Sequence, residues 1–224
     1  MKIIFLGDST MQYNDETTFP QTGWPQALQG RFKEDVELIN CAKNGRSTKS
    51  FIEEGLFEDA LKKVDSDSIV VIEFGHNDSH DYDLERYTRP DYEYHDNLSY
   101  MVNECKKKGA YVLLLTPVYR RWFNEDGSIK LNCHTGYREA MIRLGEESNT
   151  DLIDMCTLTR EKIAETGAEK SKEYFMNFPA GMYPNYPDGL EDNTHLRMKG
   201  AKMIAEIFIE QIKDNPHFKE LLNV

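Results

Sequence analysis

The sequence predicts an α/β fold built on a parallel sheet, and three observations carry that expectation. Short apolar runs alternate with segments of helical periodicity along the whole chain. Three runs, at 3–6, 69–74 and 111–115, are almost continuously hydrophobic, which suits strands buried on both faces. Hydrophobic residues make up 39% and charged residues 29% of 224, a balance that suits one globular domain over 1–224 with a real core.

Strands are predicted at 2–6, 36–40, 68–74, 111–116 and 151–154. Between the third and fourth, Tyr94, Leu98, Met101, Val102 and Cys105 share one helical face, and Gly109 supplies a stop. Tyr137, Met141 and Leu144 mark a helix between the fourth and fifth. Ala201, Ile204, Ala205, Phe208, Ile209 and Ile212 form the apolar stripe of a last helix, ended by Asp214, Asn215 and Pro216. Two long loops, 117–134 and 177–191, are expected to be functional, since long ordered loops are uncommon in compact folds.

The net charge of −12 repels phosphate backbones, which argues against nucleic acid or an anionic membrane as partner. No apolar run approaches the roughly 20 residues of a membrane span. The apolar run at 3–6 is too short for a secretory leader, so the expected location is cytoplasmic, or secreted where a native leader has been removed. Cys41, Cys105, Cys133 and Cys156 form no C-x-x-C pair and are expected as free thiols.

In parallel α/β folds ligands sit at the carboxyl ends of the strands. Gly7-Asp8-Ser9-Thr10-Met11 follows the first strand, Asn44-Gly45-Arg46-Ser47 the second and Gly75-His76-Asn77-Asp78 the third, while Asp192-Asn193-Thr194-His195 precedes the last helix. Together they supply the parts of an acyl-transfer site. Ser9 is the candidate nucleophile, at a strand-to-helix turn, and His195 its base. Asp192, three residues before His195, would share a face with it on a helical turn and orient the imidazole. The backbone amides of Ser9 and Gly45 and the side-chain amide of Asn77 are candidate oxyanion donors. Singly, each motif also has a structural reading: a turn, a helix cap or a loop residue.

Trp24, Tyr119, Trp122, Tyr183 and Tyr186 are candidate platforms for a sugar face, against core packing as the alternative. Arg46, Arg120 and Arg121 are candidate partners for uronate carboxylates, against pairing with this acidic chain's own carboxylates. His76, Asp78, His80 and Asp81 are of metal-binding type, but Asn77 and Asp78 already belong to the acyl-transfer motif after the third strand, so neither a metal nor a cofactor is expected.

The chain resembles the SGNH (GDSL-type) hydrolases, whose four letters fall here on Ser9, Gly45, Asn77 and His195. It is similar in particular to the rhamnogalacturonan acetylesterase-like branch, through those blocks and through Gly23-Trp24, Thr116-Pro117-Val118 with Arg120-Arg121, and Gly200-Ala201. The resemblance implies a flavodoxin-like three-layer α/β/α sandwich with a five-stranded parallel sheet. It implies metal-independent removal of O-acetyl groups from plant cell-wall oligo- or polysaccharide, with catalytic roles for Ser9, Asp192 and His195. Other readings are a xylan-type acetylesterase, a short-chain lipid or aryl esterase, and a carbohydrate-binding protein on a degenerate hydrolase fold.

Overall fold

The computed structural model describes residues 1–131 and 133–223, so Asn132 of the first long loop lies outside the described residues. Five parallel strands form the central sheet: β1 (Lys2–Gly7), β2 (Glu37–Asn40), β3 (Ser68–Glu73), β4 (Tyr111–Leu115) and β5 (Asp151–Ile153). Their order is β2-β1-β3-β4-β5, the flavodoxin-like arrangement, and all neighbours run parallel. Each predicted strand is present, with ends shifted by no more than a residue or so. β1 and β3 pair over their whole length, from Lys2 opposite Ser68 to Gly7 opposite Glu73.

Alternation along each strand divides the core in two. Ile4, Leu6, Val70, Ile72, Val112 and Leu114 face one side. There they meet α1 (Thr48–Glu53), α2 (Leu56–Leu61), α3 (His95–Lys107) and α4 (Tyr137–Glu147) through Phe51, Phe57, Met101 and Met141. Ile3, Phe5, Val71, Leu113 and Leu115 face the other side. They meet α5 (Met155–Thr166), α6 (Met198–Ile212) and a 3-10 helix at Trp24–Leu28 through Met155, Ile163, Phe208 and Trp24. The result is the three-layer sandwich that continuous apolar strands require, because neither sheet face can be left to water. No helix among the described residues is long and apolar enough to cross a membrane.

Three local expectations are corrected. The stretch 177–191 is not all loop: β6 (Phe175–Phe178) and β7 (Leu190–Leu196) form a separate antiparallel pair. Its second strand reads Leu-Glu-Asp-Asn-Thr-His-Leu, too polar to show as an apolar run. The segment holding Asp192 and His195 is therefore extended rather than helical, and α6 begins only at Met198. Ser9 sits in a hydrogen-bonded turn, with the Met11 and Gln12 amides donating to the Asp8 carbonyl, and no helix follows until Trp24.

Candidate active site

The strand order reverses between β1 and β3, and the loops leaving β1, β2 and β3 open at their carboxyl ends. This topology brings positions 9, 45 and 77 to one edge, and β7 delivers Asp192 and His195 beside them. The His195 Nε2 lies 3.0 Å from Ser9 Oγ, and its Nδ1 lies 2.6 Å from Asp192 Oδ2. Asp192 Oδ1 accepts from the backbone amides of Thr194 and His195, at 2.7 and 3.0 Å. This turn takes the place of the expected helical one: the carboxylate folds back on its own backbone and so aims its second oxygen at the ring.

Burial pushes the Asp192 carboxyl up, but the bonds and charge from His195 and the two amides outweigh it and hold it below the usual range. An ionised carboxylate only accepts, so Nδ1 carries the imidazole proton and Nε2 is left to accept from the Ser9 hydroxyl. Ser9 is 7% exposed, reachable yet shielded from bulk water.

The Ser9 and Gly45 amides have no acceptor among the described residues. Gly45 has φ +74°, a left-handed conformation that favours glycine, and an added Cβ would meet only Arg86 Nη1 at 3.9 Å. Backbone conformation, rather than crowding, is what asks for glycine here. The Asn77 side-chain amide donates to the Arg46 carbonyl at 3.0 Å and retains a second N–H.

A buried polar network underlies this surface. Asp8 Oδ2 lies 3.2 Å from His76 Nδ1, and the His134 ring meets His76 edge-on at 4.6 Å between centroids. Burial pushes the Asp8 carboxyl up, but His76 and the Thr10 bonds outweigh it and hold it below the ordinary range. Glu73 behaves oppositely: burial and the Asp8 charge raise it to about 8, against bonds from Trp24 Nε1 (2.9 Å), the Val118 amide (3.2 Å) and Thr10. The single Thr10 hydroxyl proton is shared between Asp8 Oδ1 at 3.0 Å and Glu73 Oε1 at 3.1 Å. A protonated Glu73 resolves the conflict by donating to Thr10, which donates to Asp8. Sequence reading missed this group, although a glutamate inside the apolar run 69–74 was the signal for it.

Glu73 also makes stability depend on pH. The unfolded chain releases the proton near 4.5 and the folded protein holds it to about 8, so stability falls as pH rises between those values. Glu73→Gln, neutral throughout, should show a shallower fall in Tm from pH 5 to pH 8 than wild type. Parallel Tm curves for the two proteins would show that Glu73 does not titrate in that window.

Of the residues proposed to bind substrate, Trp24 must be withdrawn. It is 0% exposed, held between Phe5 and Phe208 at 5.7 and 5.0 Å. Arg46 pairs with Glu54 at 2.7 Å, the structural alternative foreseen for it. Tyr119 is buried, its hydroxyl bonded to the Lys130 carbonyl. Arg120 turns inward to the His76 carbonyl at 3.0 Å. Tyr183 and Tyr186 pack on Phe178, at 4.7 and 5.7 Å, and anchor their loop. Trp122 is 44% exposed, with Lys130 Nζ 4.7 Å from its ring centre. Arg121 binds Asn193 Oδ1 at 2.9 Å and the Ala168 carbonyl, and makes no ion pair among the described residues. It lines a groove with Lys172, Asn177, Phe178, Glu191 and Asn193, the last two flanking Asp192 in sequence.

Of the residues weighed as metal ligands, His76 faces Asp8 and Asp78 is held by threonines, while His80 Nδ1 is buried without a hydrogen-bond partner among the described residues. Asp78 accepts from Thr48 and Thr88, and His80 stacks on Tyr82. Burial raises the Asp78 carboxyl to about 7 against those bonds. No cluster of three or more His, Cys, Asp or Glu side chains suited to a metal ion occurs among the described residues.

A flavodoxin-like sheet carrying such a site is the framework of an ester hydrolase. Residues 5–203 match the GDSL-like Lipase/Acylhydrolase family, and the chain belongs to that family. It is 35% identical over 216 residues to the rhamnogalacturonan acetylesterase RhgT of Bacillus subtilis, covering 96% of this chain and 90% of that protein. It is 36% identical over 213 residues to YesY, a probable rhamnogalacturonan acetylesterase of the same organism, covering 95% and 92%. Among solved structures, protein YxiM of B. subtilis superposes with a TM-score of 0.79 at 26% identity, covering 95% of this chain and 56% of that one. An acetylxylan esterase from Geobacillus stearothermophilus shares the fold, with a TM-score of 0.62 at 19% identity over 94% and 93% of the two chains.

Proposed function

We propose that this chain is a metal-independent serine acetylesterase acting on uronate-containing plant cell-wall oligo- or polysaccharide of the rhamnogalacturonan type. The observation that carries the reading is the continuous series Ser9 Oγ, His195, Asp192, with contacts of 3.0 and 2.6 Å, beside three candidate oxyanion donors. Ser9 Oγ attacks the acetyl carbonyl as His195 Nε2 takes its proton. The negative charge that develops on the carbonyl oxygen is met by the amides of Ser9, Gly45 and Asn77. Collapse returns the proton from His195 to the departing sugar hydroxyl and leaves acetyl-Ser9. Water, deprotonated by His195, then attacks the acyl carbon; the bond to Ser9 Oγ breaks as His195 returns the proton to Oγ, and acetate leaves. Activation of both nucleophiles rests on His195, so turnover should persist in a chelator; loss of activity there would count against this reading.

Two observations support the substrate class. Relatives 35–36% identical over nearly the whole chain are named for rhamnogalacturonan deacetylation. In a chain of net charge −12, Arg121 and Lys172 both line this groove, and Arg121 forms no ion pair among the described residues, although Glu169 lies within its electrostatic reach and Glu191 shares the lining. Acetate release from acetylated rhamnogalacturonan oligosaccharides should outpace release from acetylated xylo-oligosaccharides. Arg121→Ala should lower kcat/KM on the uronate substrate by about tenfold, as expected for one charge-assisted bond, and lower it less on an aryl acetate. Equal losses on both, or preference for the xylo-oligosaccharide, would count against the uronate reading.

A further inference from the structure

Of the three candidate oxyanion donors, two are backbone amides that the chain itself holds in place. The third, Asn77, is a primary amide whose two ends differ only in whether oxygen or nitrogen faces the site. A flip about its last bond would replace a donor with an acceptor, turning stabilisation of an oxyanion into repulsion. Something must choose the orientation.

We propose that Arg86 is that positioning residue, an inference that rests on the esterase reading above. Its Nη1 donates to Asn77 Oδ1 at 3.2 Å while Asn77 Nδ2 donates to the Arg46 carbonyl at 3.0 Å. The two contacts act in concert. In the flipped amide, Oδ1 would face a carbonyl and the NH2 group would face a guanidinium, so both contacts become repulsive. One Nδ2 proton is used by Arg46, and the other has no acceptor among the described residues. Arg86 Nη1 also lies 3.9 Å from the position a Cβ on Gly45 would take, so the guanidinium borders two of the three donors.

Arg86 is itself held from behind. Its Nε donates to Asp83 Oδ2 at 2.6 Å, and Asp83 Oδ1 accepts from the Glu85 amide at 3.1 Å. The Arg86 and Tyr87 amides both return to the Asp83 carbonyl, at 3.0 and 2.8 Å. The loop closes where the Thr88 amide reaches the Asp78 carbonyl at 3.1 Å. A tight turn thus carries the guanidinium back onto the residue nine positions earlier. Nothing in the stretch 81–88 announced this, because the contact depends on how the loop folds back rather than on any local spacing.

A double-mutant cycle tests the assignment with an aryl acetate. Arg86→Met keeps the stem and removes the donors; it should lower kcat about tenfold and leave KM within about twofold, a smaller loss than deleting the donor outright. Asn77→Ala should lower kcat by roughly 10²–10³-fold. The double variant should be no slower than Asn77→Ala by more than about twofold, because Arg86 has nothing left to orient. Asp83→Ala, which frees the guanidinium from its anchor, should reproduce the Arg86→Met result in weaker form and carries the test should Arg86→Met fail to fold. Wild-type kcat in Arg86→Met, a loss confined to KM, or a full additional loss in the double variant would each overturn the proposal. Wild-type turnover in Ser9→Ala would instead remove the esterase reading, whatever Arg86 does.

Discussion

Ser9→Ala should abolish measurable ester hydrolysis, lowering kcat on an aryl acetate by about 10⁴–10⁶-fold while leaving the melting curve unchanged. The magnitude follows from the loss of the covalent step. Without Oγ, His195 has no proton to accept from a bound nucleophile, and a water molecule has no fixed position from which to attack. What remains is the oxyanion donors and binding, which by themselves leave only a small residue of acceleration. The stability expectation is equally specific. Among the described residues Ser9 makes one side-chain hydrogen bond, to His195, which is itself only partly buried and keeps its contact with Asp192, so its removal strands no deeply buried group. Turnover by release of a chromogenic phenol, with circular dichroism as the folding control, reads both halves. A folded Ser9→Ala variant within about tenfold of wild-type kcat would be incompatible with serine catalysis at this position.

Trp24→Ala should destabilise the protein by about 3–5 kcal/mol, the range for deleting a buried aromatic. Its ring fills the space between the sheet residue Phe5 and the helix residue Phe208, so truncation opens a cavity between layers. The same change removes the indole donor from Glu73 Oε2, leaving a wholly buried carboxyl with one partner fewer. Trp24→Phe, which keeps most of the ring volume but not the N–H, should cost about 1–3 kcal/mol and so separates the two contributions. Urea denaturation at constant pH measures both. A Trp24→Ala protein as stable as wild type but with raised KM for oligosaccharide would reinstate the surface role that its burial denies.

Much of the architecture was legible in the chain. The runs at 3–6, 69–74 and 111–115 read as strands covered on both sides, and the stripe from Ala201 to Ile212 as an amphipathic helix, and the structure has both. The polar residues that follow β1, β2 and β3 stood out because an apolar strand stops abruptly at each. β6 and β7 were hidden because a short antiparallel pair of mixed polarity lacks both signals. Trp24 and Tyr119 fall to the core-packing alternative for a related reason: residue type tells that a ring will bury area, but not whether core or ligand supplies the partner.

The sequence by itself thus determined the parallel α/β class and which residues are candidates for the chemistry, since both follow from local pattern: apolar periodicity for the sheet, and residue type at strand ends for the candidates, with the three-layer form implied by the family resemblance. Tertiary structure alone decided how those groups are aimed. The guanidinium of Arg86 on Asn77, the 186-residue separation bridged between Ser9 and His195, and the Thr10 hydroxyl set between Glu73 and Asp8 each join groups through space, where no spacing along the chain encodes the distance. Hydrogen bonds are directional over a few tenths of an ångström, whereas burial of apolar area is not, and that difference separates what can be read from the chain from what must be seen folded.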